Sequence, residues 1–298
     1  MNRRKFIYNS SIASLSVLGL NSCTQLFRDV KITILHSNDV HSQIEPFPVN
    51  HNRFPGRGGF ARRASIFNQI RSVNPNTLIF DAGDIFQGTP YFNFFQGELE
   101  LKLMKEMGYN AATIGNHEFD AGLDILKKNI LSTNFQFIIS NYDFINTELQ
   151  GLTTPYKIYK KEGVKIGVFG LGIELKGLVN PILYKETKYY DPIEISDEMV
   201  KILKDEKKCD LVICVSHLGH KYNSKKISDT KLAQLTSDID LIIGGHTHTF
   251  LNKPVIIKNK KKNNVIINQV GSGGVYLGRI DFNFTNSSKK DTNALLEV

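Results

Sequence analysis

Five short knots of polar side chains, each set just behind an apolar run, constrain this chain more than any other feature. They are Asp39-Val40-His41, Gly83-Asp84, Gly115-Asn116-His117-Glu118-Phe119-Asp120, His217 within Ser216-His217-Leu218-Gly219-His220, and Gly244-Gly245-His246-Thr247-His248. Each supplies a carboxylate, an imidazole or an amide where a strand gives way to a loop. In open α/β sheets that edge is where ligands bind. Asp39 and His41 stand two apart, so extended backbone points both the same way, and His246 and His248 repeat the arrangement. The glycines beside them let the backbone turn close to a bound ion.

Counting ligands points to two metals. Asp39, His41, Asp84, Asn116, His217, His246 and His248 are the candidates. A single zinc takes three or four ligands. Two divalent ions, roughly 3.5–4 Å apart and sharing a carboxylate, would use them all. Asp84 is the natural bridge, because a carboxylate has two oxygens and a histidine one free nitrogen. Mixed imidazole and carboxylate donors suit Mn, Zn, Fe or Co. Taken singly, each knot has a bland reading, since a lone histidine is more often a satisfied core or surface residue. All five in this order do not.

Between the knots, strand and helix patterns alternate. Residues 31–35 alternate polar and apolar as a half-buried strand does, and 77–80, 111–114, 135–139, 158–159, 166–169, 211–215 and 241–243 read as further strands. Residues 61–71, 99–107 and 200–207 have helical spacing, the second closed by Gly108 as a C-cap. Residues 254–257, 265–270 and 275–284 read as a closing β meander or hairpin set. The class is α/β. The polar tail over 285–298 is expected to fray. Cys209 and Cys214 have no CxxC spacing, and their odd offset opposes a mutual disulfide.

The first 22 residues read as an export signal. Arg3, Arg4 and Lys5 precede an apolar stretch over 12–20, in the manner of a twin-arginine leader. Leu20-Asn21-Ser22-Cys23 is similar to a lipoprotein cleavage box, with Cys23 the lipidated residue and 23–30 a short linker. The alternative is an ordinary cleaved signal with an incidental cysteine. Losing the leader removes three positive charges and takes the formal +8 to +5. The lysine run Lys258, Lys260, Lys261, Lys262 reads as a solvated hairpin tip, and no nucleic-acid motif accompanies it. Membrane contact is expected only through the lipid anchor, since no stretch of about 18 uncharged apolar residues is present.

The ordered knots resemble the calcineurin-like metallophosphoesterase superfamily. The flanks Ile34-Leu35-His36-Ser37-Asn38-Asp39-Val40-His41, Gly58-Gly59-Phe60-Ala61-Arg62 and Gly83-Asp84-Ile85-Phe86-Gln87-Gly88, with residues 109–120, are similar to its bacterial 5'-nucleotidase/UDP-sugar hydrolase branch. Ser37 stands where that branch usually has Thr. The resemblance implies a four-layer α/β/β/α sandwich over 31–284 as a single domain. It implies one metal on Asp39, His41, Asp84 and His248, and a second on Asp84, Asn116, His217 and His246. His117 and Asp120 match the catalytic dyad, and a hydroxide held between the metals would attack phosphorus. Asn116 and the metals would offset charge on the phosphoryl oxygens. Asp120 also has a bland reading, as an N-cap ahead of residues 122–126.

Other polar residues are read more plainly. His36 is a core or supporting residue, Asp81 a strand-end hydrogen-bonder, and His220 a supporting residue. Asn38 and Gln87 either orient ligands or stabilise loops. His51 has no supporting context, and Tyr189 and Tyr190 are packing or loop residues. The second, nucleobase-binding domain that the resemblance implies for full-length relatives is expected to be absent here, since from residue 250 Arg279 is the only arginine. The substrate is therefore expected to be a small phosphorylated molecule, a nucleotide or related ester, with a separate nucleotide-binding domain protein as a partner. A thiosulfohydrolase on the same scaffold, and a non-enzymatic docking subunit, are the alternatives. Seven intact ligands oppose the second of these.

Overall fold

The computed structural model describes residues 29–285 and 289–297. The expected leader, Cys23 and the linker up to residue 28 lie outside the described residues, as do Asn286, Ser287, Ser288 and Val298 of the tail.

Two six-stranded sheets make the frame. The first has the order β14-β13-β1-β2-β3-β4, built from β1 (Val30–Ser37), β2 (Thr77–Asp81), β3 (Ala111–Ala112), β4 (Gln136–Phe137), β13 (Tyr276–Phe284) and β14 (Lys289–Glu297). The second has the order β11-β12-β10-β9-β7-β6, from β6 (Tyr156–Lys161), β7 (Val164–Leu171), β9 (Leu211–Ser216), β10 (Leu241–Gly244), β11 (Val255–Lys258) and β12 (Asn264–Asn268). A small pair, β5 (Tyr142–Asp143) and β8 (Lys188–Tyr189), lies apart. Strands β1–β4 run parallel, as do β7, β9, β10 and β12.

The alternation of apolar side chains stacks these sheets. Ile32, Ile34, Leu78 and Phe80 of the first sheet meet Ile166, Val168, Leu211, Ile213 and Ile243 of the second in one dry layer. The opposite faces carry Leu35 and Ile79 on one side and Phe169, Val212, Cys214 and Ile242 on the other, each under helices. Strands covered on both faces need apolar residues at consecutive positions. Helices α1 (Phe60–Val73), α3 (Glu98–Met107) and α4 (Leu123–Ser132) cover the first sheet. The short α2 (Pro90–Phe95) leads into α3, and α5 (Pro181–Tyr184) into β8. Helices α6 (Pro192–Val200) and α7 (Asp229–Leu235) cover the second sheet. The result is the four-layer α/β/β/α sandwich.

Gly108 closes α3 with φ 72°, as its position predicts. The helix expected over 200–207 is the continuation of α6, through a wider π-type turn at Lys201–Glu206. Cys209 and Cys214 are free and buried in one cluster, Cys209 lying before the strand so that strand alternation does not govern it.

Three expectations change. Residues 31–35 are not a half-buried strand: β1 is covered on both faces, and Thr33 Oγ1 satisfies itself by donating to Asp281 Oδ1 at 2.7 Å. The closing meander is divided between sheets: β11 and β12 form a hairpin on the second, but β13 crosses to pair with β1 on the first. The tail does not simply fray, because residues 289–297 form β14 along the whole of β13, from Tyr276↔Glu297 to Phe284↔Lys289. A nine-residue edge is a row of unpaired donors and acceptors, and a returning strand covers it.

Candidate metal centre

All seven expected ligands meet at the C-terminal edge of the parallel strands. Ligand atoms of Asp39, His41, Asp84 and His248 lie within 4.8 Å of one another, and so do those of Asp84, His217 and His246. Asp84 belongs to both groups. Asn116 joins the second through its Oδ1, 2.9 Å from His246 Nδ1.

The backbone is bent hard to achieve this. Asp39, His41, Asp84, His246 and His248 all have positive φ, between 48° and 71°. A non-glycine residue there costs energy and persists only where its surroundings over-determine it. Here they do. Asp39 donates its amide to Gly83 O at 2.9 Å, His41 donates to Asp84 O at 3.1 Å, and Gly273 donates to Asp39 O at 2.8 Å. The Asp39 carboxylate accepts the His246 amide at 2.9 and 3.0 Å. The bend thus ties first-sheet and second-sheet loops together.

The donor set fits cations. His217 Nδ1 lies 2.6 Å from Ala82 O, and His41 Nδ1 3.1 Å from Gln87 O. A ring nitrogen that donates to a carbonyl leaves the other as a lone pair. Those second nitrogens converge on other acceptors: His217 Nε2 is 3.0 Å from Asp84 Oδ2, and His41 Nε2 is 2.9 Å from His248 Nε2. Lone pairs aimed at each other and at buried carboxylates are repulsive unless a cation or proton lies among them.

Titration follows the same logic. Burial works to lower His217, but the Asp84 carboxylate beside it raises it to about 10. Burial works against the Asp84 charge, yet His217 holds the carboxyl well below its ordinary range. Burial, and then His217, push His246 down to about 3. Proton and metal compete for the same atoms, so metal binding there releases protons.

His117 and Asp120 stand beside the cluster. Their Nδ1 and Oδ2 are 2.7 Å apart, and the His117 ring centroid lies 5.2 Å from that of His41. Burial opposes protonation of His117, but the Asp120 hydrogen bond, with the Asp84 charge, leaves it above its ordinary value. The cap reading of Asp120 does not apply, since Gly122 occupies the N-cap position of α4 without a side-chain cap.

Supporting residues fall into place. Asn38 does both things expected of it, donating to Asp39 Oδ2 and Gly271 O at 2.6 Å while its Oδ1 accepts from Val270. Gln87 acts through its carbonyl, not its exposed side chain. Asp81 accepts from Ser37 Oγ at 2.5 Å and from Gly83 N at 2.9 Å, the strand-end role read for it. His36 is fully buried and accepts from Asn268 Nδ2 at 3.0 Å. His220 meets the site only through its amide, which donates to Thr247 Oγ1. His51 has company after all, stacking on Phe54 and accepting its amide.

Two residues were missed. Glu118 accepts the amides of Asp84, Ile85, Phe86 and Gly115, although burial and then the Asp84 charge push its carboxyl up to about 7. Gln269 holds the histidine loop, its Oε1 accepting from Thr249 N at 2.6 Å and Thr247 Oγ1 at 3.0 Å. The signals were faint: an acid inside the third knot, and an Asn268-Gln269 pair interrupting an apolar run.

Comparison with known proteins agrees with this geometry. The calcineurin-like phosphoesterase family model matches residues 32–250. The chain belongs to the calcineurin-like phosphoesterase family. Among its relatives in the family, it is 31% identical to the snake venom 5'-nucleotidase of Gloydius brevicauda, over 89% of this chain and 48% of that protein. It is 30% identical to the trifunctional nucleotide phosphoesterase protein YfkN of Bacillus subtilis, over 88% of this chain and 19% of that protein. The crystal structure of a 5'-nucleotidase precursor from Thermus thermophilus superposes with a TM-score of 0.78 at 28% identity, covering 90% of this chain and 55% of that one. This phosphoesterase chain thus spans about half the length, or less, of the relatives it matches.

Proposed function

We propose that the chain is a dinuclear-metal phosphoric ester hydrolase of 5'-nucleotidase type, acting on a nucleotide or related ester outside the cytoplasm. One observation carries the reading: Asp84 belongs to both groups of converging ligand atoms. Asp39, His41, Asp84 and His248 would hold one ion; Asp84, Asn116, His217 and His246 would hold the other. When bound, such ions supply Lewis acidity and an activated nucleophile at neutral pH. Mn, Zn, Fe and Co all suit the donors.

The protein's own groups do the rest. His117 keeps its Nδ1 proton against Asp120, which fixes the ring and leaves Nε2 to face the ester. From there Nε2 stabilises phosphoryl charge or gives a proton to the leaving oxygen. Asn116 turns its oxygen toward His246 and keeps its amide N–H groups for a phosphoryl oxygen.

The nucleotide as substrate is supported by the names of the relatives, 5'-nucleotidases and a nucleotide phosphoesterase. A separate nucleotide-binding protein is the proposed partner. Export rests on the leader motif, with Cys23 as the proposed lipid anchor. Among the described residues no helix is long and apolar enough to cross a membrane.

The test is phosphate release from nucleotides, UDP-sugars, cyclic nucleotides and an aryl phosphate, by the chain loaded with Mn²⁺, Zn²⁺ or Co²⁺, beside an Asp84→Asn variant. Release by the native chain, with metal and activity both lost in the variant, is expected. No release from any ester would count against the reading; two metals retained by Asp84→Asn would remove the bridge.

A further inference from the structure

We propose that the cavity beside the His217 and His246 half of the cluster is the leaving-group subsite, that it takes the hydroxylated sugar ring of the phosphate ester, and that Tyr189 and Lys226 set its specificity. The inference rests on the phosphohydrolase reading above and names its substrate class.

Placement comes first. The cavity, about 260 Å³, is lined by Ile173, Glu174, Tyr189, Leu218, Lys225 and Lys226, among others. Strands β7 and β9 pair in parallel up to Leu171↔Ser216. Ile173 and Leu218 therefore leave the sheet at the same edge as His217. The loop after Gly219 folds back over this edge: Tyr222 donates to Leu218 O at 2.7 Å, and Lys226 Nζ sits 4.9 Å from the Tyr222 ring. Tyr189 is braced from the other side. It pairs with Tyr142 across the β5–β8 ladder, with the rings 6.2 Å apart. Tyr142 in turn meets Phe119 edge-on at 5.9 Å, within the segment that carries His117 and Asp120. The cavity thus lies beside the strand end that carries His217, and Tyr189 is linked through Tyr142 to the dyad segment.

Polarity orients the occupant. Lys226 shares its loop with Tyr222, and that loop is tied to the His246–His248 loop where His220 donates its amide to Thr247 Oγ1 at 2.9 Å. Glu174 lines the same cavity as Lys226 and Tyr189. The Lys226 ammonium can donate to phosphoryl or hydroxyl oxygens. The Glu174 carboxylate can accept from sugar hydroxyls, and the Tyr189 ring offers a flat apolar face. An alkyl or plain aryl leaving group would desolvate this charged pair with nothing to bond, a penalty that discriminates strongly. The volume falls just short of the roughly 300–1,000 Å³ of sites for drug-sized ligands, which suits a single ring.

The test uses the full chain loaded with zinc, which is diamagnetic, and two probes that cannot be hydrolysed, the phosphonate analogues of adenosine monophosphate and ribose phosphate. Saturation-transfer NMR should show both bound through their ribose protons. Tyr189→Ala and Lys226→Ala should each weaken binding about tenfold, and Tyr189→Phe should restore it. Lys226 is exposed, so its variant tests the site without risk to the fold. In turnover, the kcat/KM preference for ribose phosphate over methyl phosphate should fall about tenfold in both alanine variants. Contact through adenine protons alone, or equal binding by every variant, would overturn the sugar subsite. Binding with these losses but no hydrolysis of any ester would support the subsite and sink the phosphohydrolase reading.

Discussion

The Glu118 carboxylate accepts the backbone amide of Asp84 at 2.9 Å and that of Gly115 at 2.6 Å. One buried side chain therefore fixes the loops that present Asp84 and Asn116. Glu118→Gln keeps the volume but turns one acceptor into a donor facing amide donors. The expected cost is about 3 kcal/mol of stability, the scale of hydrogen bonds to a buried charge, together with weaker metal binding. Urea unfolding of the two proteins with unchanged slope would measure it, and equal midpoints would contradict the role.

His117 is expected to act on the reacting ester and not on the ligands. Its backbone amide, not its ring, donates to Asp84 Oδ1. His117→Ala should therefore leave metal content intact while kcat drops by about 10²–10⁴, the usual worth of a positioned acid or base. Asp120→Asn should lose less, because the imidazole remains. Single-turnover kinetics on metal-replete variants would decide, and an unchanged kcat would remove His117 from the chemistry.

Gly115 has no room for a side chain. A Cβ there would stand 2.3 Å from Asp84 Oδ1 and 2.8 Å from His217 Cε1. Gly115→Ala should push the shared carboxylate out of place, costing about 1–3 kcal/mol and at least one metal per chain. Elemental analysis showing native metal content would argue that the loop gives way cheaply.

Acid should destabilise the fold through His36. Burial holds this imidazole down to about 3, against an ordinary value of 6.5. Between those values the unfolded chain carries a proton that the folded chain does not. Stability from this group is thus complete above 6.5 and is lost as pH falls, by about 1.4 kcal/mol per unit. His36→Gln should flatten the wild-type stability profile by that slope over the same window. Parallel profiles for the two proteins would show that His36 takes a proton without unfolding.

How much of this was legible depended on what each residue's partner is. The convergence of Asp39, His41, Asp84, His217, His246 and His248 could be read because carboxylates and imidazoles behind apolar runs, spaced two apart and flanked by glycine, are visible side-chain chemistry. Helix α3 could be read because its apolar spacing and Gly108 are local. Strand β13 was legible as a strand but not as a neighbour of β1, since alternation fixes which face is buried and says little about a partner some 240 positions away. Strand β14 was hidden by its polar composition, because its reason for being is the backbone edge it covers. Glu118 was hidden for a related cause: its partners are amides, which every residue has. Asp120 offered two local readings, which Gly122 at the N-cap of α4 and the 2.7 Å approach to His117 separate.

The central claim is that Asp84 joins two metal sites in a phosphohydrolase. Its most direct test is phosphate release from a nucleoside monophosphate, followed while manganese is titrated into metal-free chain. The account predicts no release without metal and a rise that levels off at two equivalents per chain. Release that persists under chelation, a plateau at one equivalent, or no release at any loading would contradict it.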